Sequence, residues 1–450
     1  MSSKPTAEYW LHSAFFTILK NVSSLVLALG GFFFLVRLLD KNTFGVWALF
    51  LSTTTLFEFS RNGLVSNAFL KFLAGAREDE YAKIVTASFT VTGILTLIGV
   101  IVNCCLAQWL ARLWHMPQIA YLFYFYNIIF IITGFINQFN CIQQANLQFK
   151  GVFQSSFAGP LLNFIYVAGA YYLHWPVSLF ILLYLQLAGA IIAFSIAYVQ
   201  TRPFIKTTRQ LDRRWVRNIL NYGKYSFGTT LSAMIFSSID QWMLGYLLMP
   251  AAAAAYNIGV RITNIVEVPT GTVAAIVFPQ SAKRSATGGT EAAKYLYEKS
   301  VSVILALLAP ALLVLYIFSG LVVRLLAGNR YPESIPILHI TILYCLFIPF
   351  GRQFGTILDS IGKPKTNFYI VMLSALVNVA LNYLFINRAG ITGAAYGTLG
   401  ASIFTFVICQ VLLKRQLGVN ILNVFRYAWS FYPEFLNKHL LPAGKRLFFR

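Results

Sequence analysis

A chain of 450 residues that is 58% hydrophobic, 16% aromatic and only 11% charged cannot cover a soluble globule with polar surface. Its formal charge of +21 attracts nucleic acid only from a soluble basic face, which this composition denies it. A bilayer protein is left, because a helix rising about 1.5 Å per residue needs about 20 apolar residues to cross about 30 Å of hydrocarbon.

Apolar stretches of that length recur along the chain and predict twelve spans. The first, 14–38, contains Lys20; it is long and lacks a small-residue cleavage site, so it reads as a retained helix and not as a signal peptide. The second, 44–70, carries Glu58 and Arg61, three apart and therefore on one helix face. The third and fourth are 82–111 and 119–143, the latter beginning a polar stripe with Asn137 and Asn140. Spans 152–173 and 177–199 follow. Even the longest outer connection, around Arg112 to Gln118, leaves no room for a catalytic domain.

A basic stretch, 201–217, comes next, with Arg202, Lys206, Arg209, Arg213, Arg214 and Arg217 opposed only by Asp212. It reads as an orienting connector in contact with anionic membrane lipids. Beyond it, span 222–248 carries Lys224 and Asp240, span 254–278 carries Arg261 and Glu267, and 299–326 is apolar. Span 335–360 holds His339, with Arg352 and Asp359 almost two full turns apart on one face. Span 367–387 sets Asn378 and Asn382 four apart, and 393–414 starts in the small-residue run Gly390 to Gly400, which reads as close helix packing. The aromatic and basic tail that follows reads as an amphipathic interfacial segment and not as a further span.

An even number of spans puts both termini on one side. Most of the 35 lysines and arginines fall in the N-terminus, the even-numbered connections and the tail, so that side is predicted to be cytoplasmic. Six spans on each side of the connector enter the membrane in the same direction, the arrangement of parallel repeats. The expected organisation is an N-terminal six-helix bundle over 1–200, the connector 201–217, a C-terminal six-helix bundle over 218–414 and a basic amphipathic cytoplasmic tail over 415–450. Aligning Trp47 with Tyr256 sets Glu58 on Glu267.

Enzymatic signatures do not emerge. The five cysteines fall within spans, the five histidines lack metal-ligand spacing, and Gly362-Lys363 lacks the glycine that a phosphate loop needs five residues earlier. The informative residues are the embedded charges Lys20, Glu58, Arg61, Lys224, Asp240, Arg261, Glu267, Arg352 and Asp359. Each costs very roughly 3 kcal/mol if it faces lipid at mid-membrane, and the sum rivals a whole folding stability of about 5–15 kcal/mol. They must pair as staples between helices or face water. The asparagine stripes likewise either bond helices together or line a sugar-compatible path.

Asp359-Ser360-Ile361-Gly362-Lys363-Pro364-Lys365, the later Val377-Asn378-Val379-Ala380-Leu381-Asn382-Tyr383, and Ser238-Ile239-Asp240-Gln241-Trp242 with Ala255-Tyr256-Asn257 carry a family resemblance. The chain resembles the polysaccharide transport family of lipid-linked oligosaccharide flippases, O-antigen type, in the multidrug/oligosaccharidyl-lipid/polysaccharide exporter superfamily. The resemblance implies an all-α polytopic membrane protein of about twelve helices, in two six-helix bundles around a central cavity that opens alternately to each side. It implies a bacterial inner membrane and, as substrate, an undecaprenyl-diphosphate-linked oligosaccharide bound for surface polysaccharide.

On that resemblance Lys20, Arg61, Arg261 and Arg352 become candidates for holding the diphosphate, and Asn137, Asn140, Asn378 and Asn382 for contacting sugar. Glu58, Asp240, Glu267 and Asp359 are candidates for coupling to Na+ or H+ or for charge pairing, with no resident cofactor or metal expected. A polysaccharide polymerase and assembly proteins are the expected partners. The rivals are a cation-coupled multidrug exporter, which the embedded set of five bases against four acids disfavours, and a non-transporting scaffold of a polysaccharide assembly complex.

Overall fold

A computed structural model describes residues 7–435, without the side chains at 7–14, 17–18, 225–226, 434–435 and much of 265–290. Among the described residues there is no strand. Lipid offers the backbone no hydrogen-bond partner, so a buried span must satisfy itself as a helix. The order is α1 (Ala7–Leu38), α2 (Lys41–Ala74), α3 (Glu78–Leu113), α4 (Gln118–Ala145), α5 (Phe149–Leu173), α6 (Leu179–Thr201) and α7 (Arg213–Leu247). It continues with α8 (Pro250–Thr263), α9 (Glu267–Ile317), α10 (Ser319–Ala327), α11 (Ser334–Cys345), α12 (Ile348–Ser360), α13 (Pro364–Leu417) and α14 (Ile421–Phe435).

Seven of these helical stretches are long and apolar enough to cross a bilayer by length and composition alone, and the chain is a multi-pass membrane protein. Helices α2 and α7, which carry Glu58, Arg61 and Asp240, are not among the seven because their polar residues lower the mean hydropathy.

The chain forms two compact units. One comprises the described residues through Met234 with Met249–Ala254; the other comprises Ile235–Leu248 and the described residues from Ala255 onward. The first is built around Val65, Phe69, Ile84, Val85, Ile142 and Ile219, which join α2, α3, α4 and the start of α7. The second has its main core at Tyr297, Val301, Phe350, Phe354, Ile357, Leu413 and Val424, joining α9, α12, α13 and α14.

Four boundaries differ from the sequence expectation. The predicted span 254–278 is broken by a tight turn at Asn264–Val266, and the connection expected at 279–298 is helical, making α9 continuous over 51 residues. Glu291 to Lys299 are mostly strong helix formers and carry the helix across the Gly288-Gly289 pair. Span 299–326 ends early, at Phe318. Span 335–360 is split after Cys345, where Pro349 opens α12 without an N–H to continue the preceding helix.

The last two predicted spans are the two limbs of α13, reversed at Gly390, whose φ of 60° and ψ of −135° suit a residue without a side chain. The limbs lie side by side and antiparallel. A Cβ on Gly393 would sit 2.0 Å from the carbonyl oxygen of Phe385, and one on Gly397 would sit 2.9 Å from the Cα of Asn382. The small-residue run from Gly390 is thus the contact surface of a tight helical hairpin.

Within the tail, α14 docks on α9. Asn423 donates to the Glu298 carboxylate at 3.0 Å, the Asn420 N–H donates to it at 2.8 Å, and the Tyr432 hydroxyl donates to the Ala306 carbonyl at 2.8 Å.

Candidate functional site

Among the described residues, two of the embedded charges predicted from sequence, Arg61 and Asp240, each sit at a buried polar centre, one in each unit. In the first, α2 and α4 face each other. Arg61 is 3% exposed and its guanidinium is held by neutral groups: Nε donates to the Asn62 amide oxygen at 3.3 Å, Nη2 to the Thr133 hydroxyl at 3.2 Å, and Nη1 to the Phe130 carbonyl oxygen. It also lies 4.2 Å from the centre of the Phe130 ring, a cation–π contact. Gly134 makes the space, since a Cβ there would stand 2.9 Å from Nη1.

Glu58, one turn before Arg61, accepts instead from the Tyr126 hydroxyl at 2.6 Å. The shared helix face is as expected, but the two charges do not form a direct ion pair. Tyr126, Thr133 and Gly134 were not legible as site residues, because their meaning depends on which helix α2 faces. The stripe on α4 continues downward: Asn137 donates to Ser66 at 2.8 Å, and Asn140 accepts from Ser155 at 2.9 Å. Both asparagines are committed to bonds between helices.

The second centre surrounds Asp240 on α7, 3% exposed. Its carboxylate accepts from Asn382 at 2.7 Å, from Thr398 at 2.7 Å, from Asn378 at 3.5 Å and from the Tyr256 hydroxyl. Four neutral donors from α8 and both limbs of α13 therefore enclose one charge, the arrangement that makes a buried carboxylate tolerable. Asn378 and Asn382 serve this carboxylate. The Asn382 side-chain oxygen is buried in the same cluster and has no hydrogen-bond partner among the described residues. The carboxylate, the asparagine oxygens and the Thr398 hydroxyl form one oxygen-rich cluster.

The other candidates lie on further helices of each unit. Lys20 is half-buried on α1 and Arg261 half-buried on α8. Arg352 and Asp359 share the exposed face of α12, where Asp359 accepts from Asn367 at 3.1 Å. The side chain of Glu267 lies outside the described residues. His339 bonds Ser319 at 2.6 Å, and its ring lies tilted by 32° with its centre 4.4 Å from that of Tyr316. Among the described residues there is no cluster of His, Cys, Asp and Glu suited to a metal ion.

The sequence profile of a family described as polysaccharide biosynthesis proteins matches residues 34–336. The chain belongs to that family. Among family-like relatives, the probable low-salt glycan biosynthesis flippase Agl15 of Haloferax volcanii is 25% identical, over 55% of this chain and 51% of its own, so about half of that relative is spanned. The lipopolysaccharide biosynthesis protein WzxC of Escherichia coli is 21% identical over 84% of this chain and 74% of its own. A solved structure of the lipid II flippase MurJ, in an inward closed conformation, superposes with a TM-score of 0.74 over 92% of this chain and 90% of that one, at 14% identity. At that identity the likeness establishes the fold alone, an all-α polytopic one.

Proposed function

We propose that this protein is a flippase that moves polyprenyl-diphosphate-linked oligosaccharides from the cytoplasmic to the outer leaflet of a bacterial inner membrane, for surface polysaccharide synthesis. Membership of the family and the relatives' names support the reading, and Arg61 carries it on the structural side. Three of the five N–H groups of the buried guanidinium are taken up by neutral acceptors and none by a carboxylate, so its charge has no bonded anion of its own. A cation kept at such depth without a bonded carboxylate suits an anionic cargo better than an organic cation. Lys20, Arg261 and Arg352 are proposed as further contacts for the diphosphate along its path. The reading needs no covalent chemistry. An inside-negative potential drives an anion outward by about 2.3 kcal/mol per charge for each 100 mV traversed.

Asp240 is the proposed coupling residue, with Na+ or H+ as the coupled ion. Asn378, Asn382 and Thr398 would help hold such an ion, which would supply a charge that rises and falls with the transport cycle. Asn137 and Asn140 are left a supporting part, since their side chains are already spent on Ser66 and Ser155.

The test is reconstitution into liposomes with a defined lipid-linked oligosaccharide whose exposure at each leaflet is followed under imposed ion gradients. Transfer by wild-type protein, lost in Arg61→Gln and partly kept in Arg61→Lys, is the expected result. Wild-type rates in a normally inserted Arg61→Gln variant would remove the phosphate-holding role and favour a scaffold.

A further inference from the structure

At one end of the first unit lies a cleft of about 300 Å³, the lower end of the range for small-molecule pockets. It is formed where three connections meet: Leu38, Leu39 and Asp40 between α1 and α2, Gln118 at the start of α4, and Val177, Ser178 and Phe180 between α5 and α6. These are the odd-numbered connections, whereas the basic connector follows α6, so the cleft opens at the end of the unit opposite that connector. Neither embedded centre contributes to it.

Its lining has two characters. The floor is apolar, with Leu39 4% and Leu122 0% exposed, and Phe180 stands 41% exposed at the wall. The rim is polar and bears both donors and acceptors. Asp40 borders the cleft, its Oδ1 accepting the N–H groups of Asn42 and Thr43 at 2.9 and 3.0 Å. Ser178 accepts the Ile181 N–H at 3.3 Å, which leaves its hydroxyl hydrogen free to donate. The Gln118 amide has no hydrogen-bond partner among the described residues, so two donors and an acceptor point into solvent at the edge.

Charge narrows the ligand. The N-termini of α2, α4 and α6, each worth roughly half a positive charge, share this end with the C-termini of α1, α3 and α5, each worth roughly half a negative one, so the helix ends offset one another and Asp40 is the one full charge among the lining residues. One carboxylate, already accepting two backbone N–H groups, disfavours a phosphate and leaves neutral hydroxyls as the matching partners. A ligand that combines many neutral hydroxyls with an apolar ring face satisfies both the rim and the floor.

We infer that this cleft is a saccharide-binding subsite, with room for one pyranose residue whose hydroxyls meet Asp40, Gln118 and Ser178 while its C–H face lies on Phe180. It rests on the flippase reading for the source of the sugar, a glycan held as it leaves on the outer side. It is distinct from the site that handles the diphosphate.

The experiment titrates the full-length protein in lipid nanodiscs with glucose, galactose, N-acetylglucosamine and rhamnose in turn, reading contact by saturation-transfer NMR. Inorganic phosphate and choline serve as charged competitors. At least one sugar should bind saturably, and Gln118→Ala and Phe180→Ala should each weaken it about tenfold, the effect of one lost contact. Asp40→Asn keeps the helix cap and should weaken it likewise.

No saturable binding of any sugar, equal binding in all three variants, or displacement by phosphate or choline at lower concentration than by sugar would overturn the inference. A protein that transports lipid-linked oligosaccharide but binds none of the four sugars sinks the subsite alone. Variant-sensitive sugar binding in a protein that transports nothing sinks the flippase reading alone.

Discussion

Thr398 donates to the Asp240 carboxylate at 2.7 Å, across 158 residues of chain. The contact exists because Gly390 reverses α13 and Gly397 lets the two limbs touch, which places Thr398 and Asn382 around one charge. Asp240→Asn should insert and fold, since an amide fills the same space and still accepts from part of the cluster, but its transport should no longer respond to an imposed Na+ or H+ gradient. Asp240→Ala should lower stability by a few kcal/mol, because it orphans several buried donors at once. Paired thermal unfolding and gradient-driven transport assays separate the two effects.

Gly134 is a second-site test of Arg61. Gly134→Val places carbon where the guanidinium lies and should reduce transport at least about tenfold, as Arg61→Gln does, because both remove the same positioned cation. Combining the two changes should add little beyond either alone, which a double-mutant cycle in liposomes measures.

The orientation prediction places Arg213 in the cytoplasm, on the weight of basic residues in the connector. A cysteine introduced there should react with a membrane-impermeant maleimide only in opened cells. Labelling in intact cells would reverse the topology.

Asp40 gives a pH prediction. A hydrogen bond from the Thr43 side chain, with the N–H groups of Thr43 and Asn42, holds its carboxyl below the usual carboxylate range. A group depressed in the folded state stabilises above its unfolded value of about 3.9 and loses that contribution as pH falls through the lower folded value. The stability gap between wild type and Asp40→Ala, about 1 kcal/mol at neutral pH, should therefore shrink below pH 4. Thermal unfolding at pH 7 and pH 3 reads the difference.

Hydrophobic length announced the spans, and spacing announced which charges share a face: Glu58 with Arg61, and Arg352 with Asp359. What periodicity does not encode is the neighbour across the interface. The three-residue spacing of Glu58 and Arg61 is compatible with mutual pairing, yet α4 offers Tyr126 to one and Thr133 to the other. The spacing of Asn378 and Asn382 showed a stripe, while its target on α7 is fixed by the hairpin. The continuity of α9 was hidden because Gly288-Gly289 locally argues for a break that the flanking helix formers override.

The hairpin at Gly390 also sets an order of events at the ribosome. Asp240 enters the membrane long before the limb bearing Thr398 has been synthesised, so a nascent chain that stops short of α13 carries a carboxylate lacking three of its four donors. Such a chain is the less stable form by the cost of that exposed charge. Truncations before residue 364 should consequently be recognised and degraded, whereas a chain severed at Gly390 and supplied with its last limb as a separate polypeptide retains the means to complete the site.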